Sequence, residues 1–134
     1  MSTAVKVNYE NIWAQAQDAG YKAVADLEAR AGIVPIIVGE PTTPFGSDID
    51  YSKPTYIIND GVCGFAQIRF AGNTAFGRWA KANGLARPDS YYGGLSVWVS
   101  DFNQSFQRKD AYASAFAQSL EENGIKAHST SRLD

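Results

Sequence analysis

The fold is decided by Tyr91–Asp134, YYGGLSVWVSDFNQSFQRKDAYASAFAQSLEENGIKAHSTSRLD. Gly93 and Gly94 open Leu95–Ser100, a β-branched and aromatic run that reads as a strand. From about Phe106 to Glu122 apolar residues recur at helical spacing, with Tyr112, Ala115, Phe116 and Leu120 inward. Asn123–Gly124 stops that helix. Glycine adopts the left-handed C′ conformation without a Cβ clash, and Ile125 is then free to pack on Leu120. Ile125–Thr130 returns to strand. The unit is strand, helix, strand, and it carries architecture without a catalytic motif.

The same stop, Asn83–Gly84–Leu85, closes a short helix at Thr74–Asn83. Asn73 is its expected cap, and Phe76, Trp79 and Ala80 are its apolar positions. Upstream, Thr55–Asn59 and Val62–Phe70 flank Asp60–Gly61, a strong signal for a hairpin because both turn residues tolerate positive φ. In the second of these strands Cys63, Phe65, Gln67 and Arg69 share one side. Val62, Gly64, Ala66, Ile68 and Phe70 share the other, which reads as the core side. Ile33–Gly39 is a further apolar strand. Before it, Asn8 caps a helix whose stripe is Tyr9, Ile12, Trp13, Ala16, Ala19, Ala23, Leu27 and Ala31, with Gly32 as its C′ residue. Gly20 weakens this helix by about 1 kcal/mol relative to alanine. The expected fold is α+β, with residues 1–134 as one domain. A single mixed, partly antiparallel sheet of about five strands carries three helices mostly on one face. Its last two strands run parallel through a crossover.

At 134 residues the chain is long enough to bury roughly two-thirds of its unfolded surface. The net charge is only −2, with no long acidic or basic tail. One cysteine excludes an internal disulfide framework and fits a reducing compartment. No apolar run approaches the ~20 residues that span a bilayer, so no membrane contact is expected. Met1–Asn8 lacks the charged start and apolar core of a signal peptide, so the expected location is intracellular.

The sequence offers no catalytic constellation. One cysteine and one histidine give no metal-ligand pair, and Asp48-Ile49-Asp50 lacks the third carboxylate and glycine of a calcium loop. No glycine-rich loop leads into Lys-Ser/Thr, and there is no Gly-x-Ser-x-Gly elbow. Cys63 and His128 are the one conceivable nucleophile–base pair, and a lone strand cysteine is more often a small core residue. No catalytic residue, metal or cofactor is expected.

Two surfaces stand out. The long segment Glu40–Pro54 carries Phe45, Ile49 and Tyr51, which makes it a candidate contact arm for a partner protein. Second, Gly61–Pro88 contains no acid but holds Arg69, Arg78, Lys81 and Arg87, whereas the first sixty residues hold eight acids against four bases. With its aromatics, this segment is a candidate for single-stranded nucleic acid. If the helices cover one sheet face, the other presents Phe65, Arg69, Trp98, Lys126 and His128. Phe65 and Trp98 are then further candidates for partner binding. Alternation of Trp98 with Leu95, Val97 and Val99 also admits packing under the first helix.

Several motifs resemble small proteins encoded in tailed-bacteriophage genomes. They are Asp60-Gly61-Val62-Cys63-Gly64-Phe65-Ala66, Tyr91-Tyr92-Gly93-Gly94, Gln104-Ser105 with Arg108-Lys109 and Ala111-Tyr112-Ala113, Gly124-Ile125-Lys126-Ala127, and Ser131-Arg132-Leu133-Asp134. The likeness covers about the last two-thirds of the chain, with Ile12-Trp13-Ala14 near the start. It implies a phage accessory protein made in the host bacterial cytoplasm, or a minor virion component. It brings no catalytic residue with it. The expected function is binding of a host or phage protein. Nucleic-acid binding is the alternative, and self-association is left open.

Overall fold

The computed structural model describes residues 8–30, 36–39, 55–58, 62–90, 93–102 and 105–133. Their order is α1 (Tyr9–Ala29), β1 (Ile36–Gly39), β2 (Thr55–Ile58), β3 (Gly64–Phe70), α2 (Ala75–Ala82), β4 (Arg87–Pro88), β5 (Leu95–Trp98), α3 (Phe106–Glu122) and β6 (Ala127–Leu133).

Each helix begins on a side-chain cap. Asn8 Oδ1 accepts from Asn11 N at 3.1 Å, and Ser105 Oγ accepts from Arg108 N at 3.3 Å. For α2 the cap is Thr74, one residue later than expected, whose Oγ1 accepts from Gly77 N at 2.9 Å. The shared stop signal forms at both expected places. Gly84 and Gly124 take φ of 71° and 82°, and Leu85 N and Ile125 N each reach back five residues, to Ala80 O and Leu120 O, at 2.9 Å. These are the closing bonds of a Schellman motif. Ile125 is therefore spent on the helix end, and the last strand starts later than expected and runs on through Leu133. The first helix runs to Ala29 with Arg30 as its cap, and the expected Ala31 and Gly32 lie outside the described residues.

Among the described residues two sheets form, of two and four strands, and every ladder in them is antiparallel. This replaces the expected single mixed sheet of about five strands. The larger sheet runs β4-β5-β3-β6. Since β5 and β6 are each antiparallel to β3, they run parallel to one another, with β3 between them. The Asp60–Gly61 signal does not produce the expected pairing, because β2 pairs with β1. The physical reason lies in β3. β6 runs along the whole of one edge and β5 along Gln67–Phe70 of the other, so little of β3 is left for a third partner.

The core lies on one face of the larger sheet. Ala66, Ile68 and Phe70 are buried there against α3, through Phe116 and Leu120 among others, and α1 packs on α3. Phe76 anchors α2 to this layer, 5.0 Å from Phe70 and 6.1 Å from Trp13 between ring centroids. Phe76 and the half-buried Trp79 are thus core aromatics. Among the described residues no helix is long and apolar enough to cross a membrane.

Candidate binding face of the sheet

Strand alternation sends Phe65, Gln67 and Arg69 to the side of β3 opposite the core. Cross-strand register then builds three rows on that open face. Arg87, Ser96, Arg69 and His128 form the first, Trp98, Gln67 and Thr130 the second, and Phe65 and Arg132 the third. The structure therefore brings together Phe65, Arg69, Trp98 and His128. They line a shallow concavity of about 690 Å³ with Asp89, Thr130 and Arg132.

Trp98 is the exposed aromatic of this face, at 52%. It is held upright by Phe65, whose ring lies 6.3 Å away at 83°, an edge-to-face pair. Two cations approach the Phe65 ring, Arg132 at 5.5 Å and the ammonium of the buried Lys109 at 5.6 Å. Lys109 comes from α3, on the same stripe as Tyr112, Ala113 and Phe116.

Arg69 is buried and serves the scaffold. Its Nη2 donates to Gly93 O at 2.9 Å and lies 3.7 Å from Asp89 Oδ2. The turn it grips is closed by Asp89 N to Gly94 O and Gly93 N to Asp89 O, both 3.0 Å, with Gly93 and Gly94 at φ of 77° and 69°. Both values fall where glycine is favoured. Gln67 Oε1 is buried on the same face and has no hydrogen-bond partner among the described residues.

Charge separates across the fold. Among the described residues Asp89 is the one carboxylate lining the concavity, and Arg69 already offsets it. The other described acids lie on α1 (Glu10, Asp18, Asp26, Glu28), on α3 (Asp110, Glu121, Glu122) or beside α1 at Asp101, which accepts from Tyr21 Oη at 2.6 Å. That hydrogen bond raises the Tyr21 pKa above the usual tyrosine value, helped by burial and the Asp101 charge. Burial raises Tyr112 further, with the charges of Tyr21 and Asp101 acting in the same direction.

The four bases of the acid-free segment do not converge. Arg69 and Arg87 belong to the open face, whereas Arg78 and Lys81 are exposed on α2, which packs on the core side. Arg78 Nη1 donates locally to Asn73 O at 3.1 Å. Phe45, Ile49, Tyr51 and the Asp48/Asp50 pair lie outside the described residues. Cys63 and His128 form no dyad. His128 sits opposite Arg69, and Cys63 lies six residues back along the same chain, about 20 Å away at strand rise. Cys63 is also exposed, not a core residue.

Sequence reasoning missed Arg132, Thr130, Asp89 and Lys109. The first two follow from alternation once β6 is known to continue to Leu133. Lys109 leaves a fainter trace, a charge on the buried stripe of a helix. Comparison of the chain with protein-family models, curated proteins and solved structures finds no match.

Proposed function

We propose that this chain is a small accessory protein that acts by binding, and that it takes a negatively charged partner on the open face of its four-stranded sheet. The observation that carries this reading is the meeting of an exposed indole, Trp98, with Arg87, Arg132 and His128 on the face turned away from the core. A chain of net charge −2 thus turns a cationic surface toward one side. Exposed tryptophan and arginine are the residue types that most often anchor an interface. The likeness to small phage-encoded proteins supports an origin as a phage accessory or minor virion protein, working in the host cytoplasm. Neighbouring head, tail or early phage genes would test that origin.

The face itself is tested with heparin, a polyanion that is neither protein nor nucleic acid. Backbone amide resonances are followed during a low-salt titration. Shifts are expected at Phe65–Arg69, Ser96–Trp98 and His128–Arg132, with α1 unmoved. An unchanged spectrum, or shifts confined to the helices, would remove the open-face reading.

A further inference from the structure

The geometry points to single-stranded nucleic acid as the occupant of this face, an inference that rests on the open-face reading. Three features argue for it. First, charge and π-surface lie in adjacent rows. Neighbouring strands are about 4.8 Å apart, so Arg87 and His128, at the two ends of the first row, stand about 14 Å apart across three gaps. Trp98 is two residues further along β5 than Ser96, about 7 Å to one side of that row. Ser96 and Arg69, between the two ends of the row, are buried, so its accessible groups are those ends. A sugar–phosphate strand crossing the face beside Trp98 would bring a base to the indole.

Second, the polar and aromatic parts are set in place before any ligand arrives. Phe65 braces Trp98 edge-on, and Arg132 and Lys109 brace Phe65. Arg69, tied to Asp89 and Gly93, is committed to the scaffold, and Asp89 offsets its charge. The side chains left to meet phosphates are Arg87 and Arg132, with His128 beside them, and all three are exposed.

Third, the competing occupants match less of the surface. An acidic peptide answers the charge, but its carboxylates bring no aromatic face for the indole. A duplex keeps its base faces inside the stack and offers this face phosphates alone. Each nucleotide of a single strand brings a charge and a π-face together, which is how sheet platforms hold splayed bases.

The test is fluorescence anisotropy with four labelled probes: 12-nucleotide single-stranded DNA and RNA, a 12-base-pair duplex, and a polyglutamate peptide. The full chain is compared with Trp98→Ala and Arg132→Gln, each checked for folding by circular dichroism. Either single strand is expected to bind more tightly than the duplex or the peptide, and the DNA and RNA arms separate those two sources. Loss of the indole weakens binding roughly 5- to 150-fold, the range for one stacked base. With two to three phosphates neutralised, a rise from 50 to 200 mM salt costs roughly 7- to 18-fold. Tighter binding of polyglutamate, or single-strand binding indifferent to Trp98→Ala and Arg132→Gln, overturns the inference. If heparin shifts the face but neither oligonucleotide binds, the nucleic-acid assignment alone is wrong. If heparin and all four probes leave the face unmoved, both readings fall.

Discussion

Gly20 of α1 lies against the ring of Tyr112 on α3, so close that a Cβ at position 20 would sit 2.5 Å from Tyr112 Cδ2. The glycine that costs the isolated helix about 1 kcal/mol is what allows the two helices to meet. Tyr112 is itself wedged between aromatic neighbours, with Phe116 and Tyr21 at 5.8 and 5.1 Å. Gly20→Ala gains helix propensity but overpacks this contact, which costs about 1–3 kcal/mol. The expected net effect is a loss of up to about 2 kcal/mol in urea unfolding. The second change Tyr112→Leu should recover part of it, and a Gly20→Ala protein more stable than the parent would contradict the contact.

Arg69 and Asp89 bind the β4–β5 turn to the central strand. Replacing Arg69 with methionine keeps the length and apolar stem but removes the donor to the Gly93 carbonyl and the cation 3.7 Å from Asp89. Losing a charge-assisted hydrogen bond together with a partly buried ion pair costs about 2–3 kcal/mol. Hydrogen exchange should localise the effect to residues 89–96, while α1 keeps its protection relative to global stability. Uniform loss of protection would mean that Arg69 supports the whole sheet instead.

How much of this is legible in the sequence differs by element. The α3 boundaries, both helix stops and the two sides of β3 follow from local patterns and are seen, except that Val62, expected on the core side, precedes the strand and is exposed. Strand pairing does not follow. Asp60–Gly61 reports the conformational freedom of a turn and says nothing about which edge of β3 is vacant. Those edges are taken by β6 and, over Gln67–Phe70, by β5, whose sequence separation from β3 no local pattern encodes. The open face is half legible for the same reason. Phe65 and Arg69 follow from alternation within one strand, and Trp98 and His128 join them only through register. Arg132 escapes because Ile125 is drawn into the helix cap, which moves the strand along.

Tyr112 predicts a one-sided pH dependence. Its folded pKa is raised, mainly by burial, so the folded state favours the neutral phenol. An unfolded tyrosine titrates near 10. The contribution to stability is therefore fully present below about pH 10 and is lost as pH rises from there through the folded pKa. Tyr21, raised mainly by its hydrogen bond to Asp101, acts in the same direction. Unfolding midpoints measured from pH 8 to 11 should fall above about pH 10, and Tyr112→Phe should flatten that fall. A midpoint that declines equally in both proteins would assign the alkaline sensitivity elsewhere.

Trp98 and Trp13 make opposite predictions, although each is a tryptophan in edge-to-face contact with a phenylalanine. Trp13 is 8% exposed and meets Phe116 edge-on at 4.9 Å within the core. Truncating it to alanine should cost about 3–5 kcal/mol, the range for a large aromatic removed from a packed interior. Trp98 is 52% exposed, and Phe65 is the ring beside it. An exposed aromatic pair contributes about 0.5–1.5 kcal/mol, so Trp98→Ala should cost about 1 kcal/mol or less. The emission spectrum separates them without any ligand. Removing Trp98 takes away the most solvent-exposed emitter of the three tryptophans and should shift the remaining emission to the blue, whereas removing Trp13 should shift it to the red. A cost for Trp98→Ala as large as that for Trp13→Ala would mean that the indole is structural, and that the open face is a supporting surface instead of a working one.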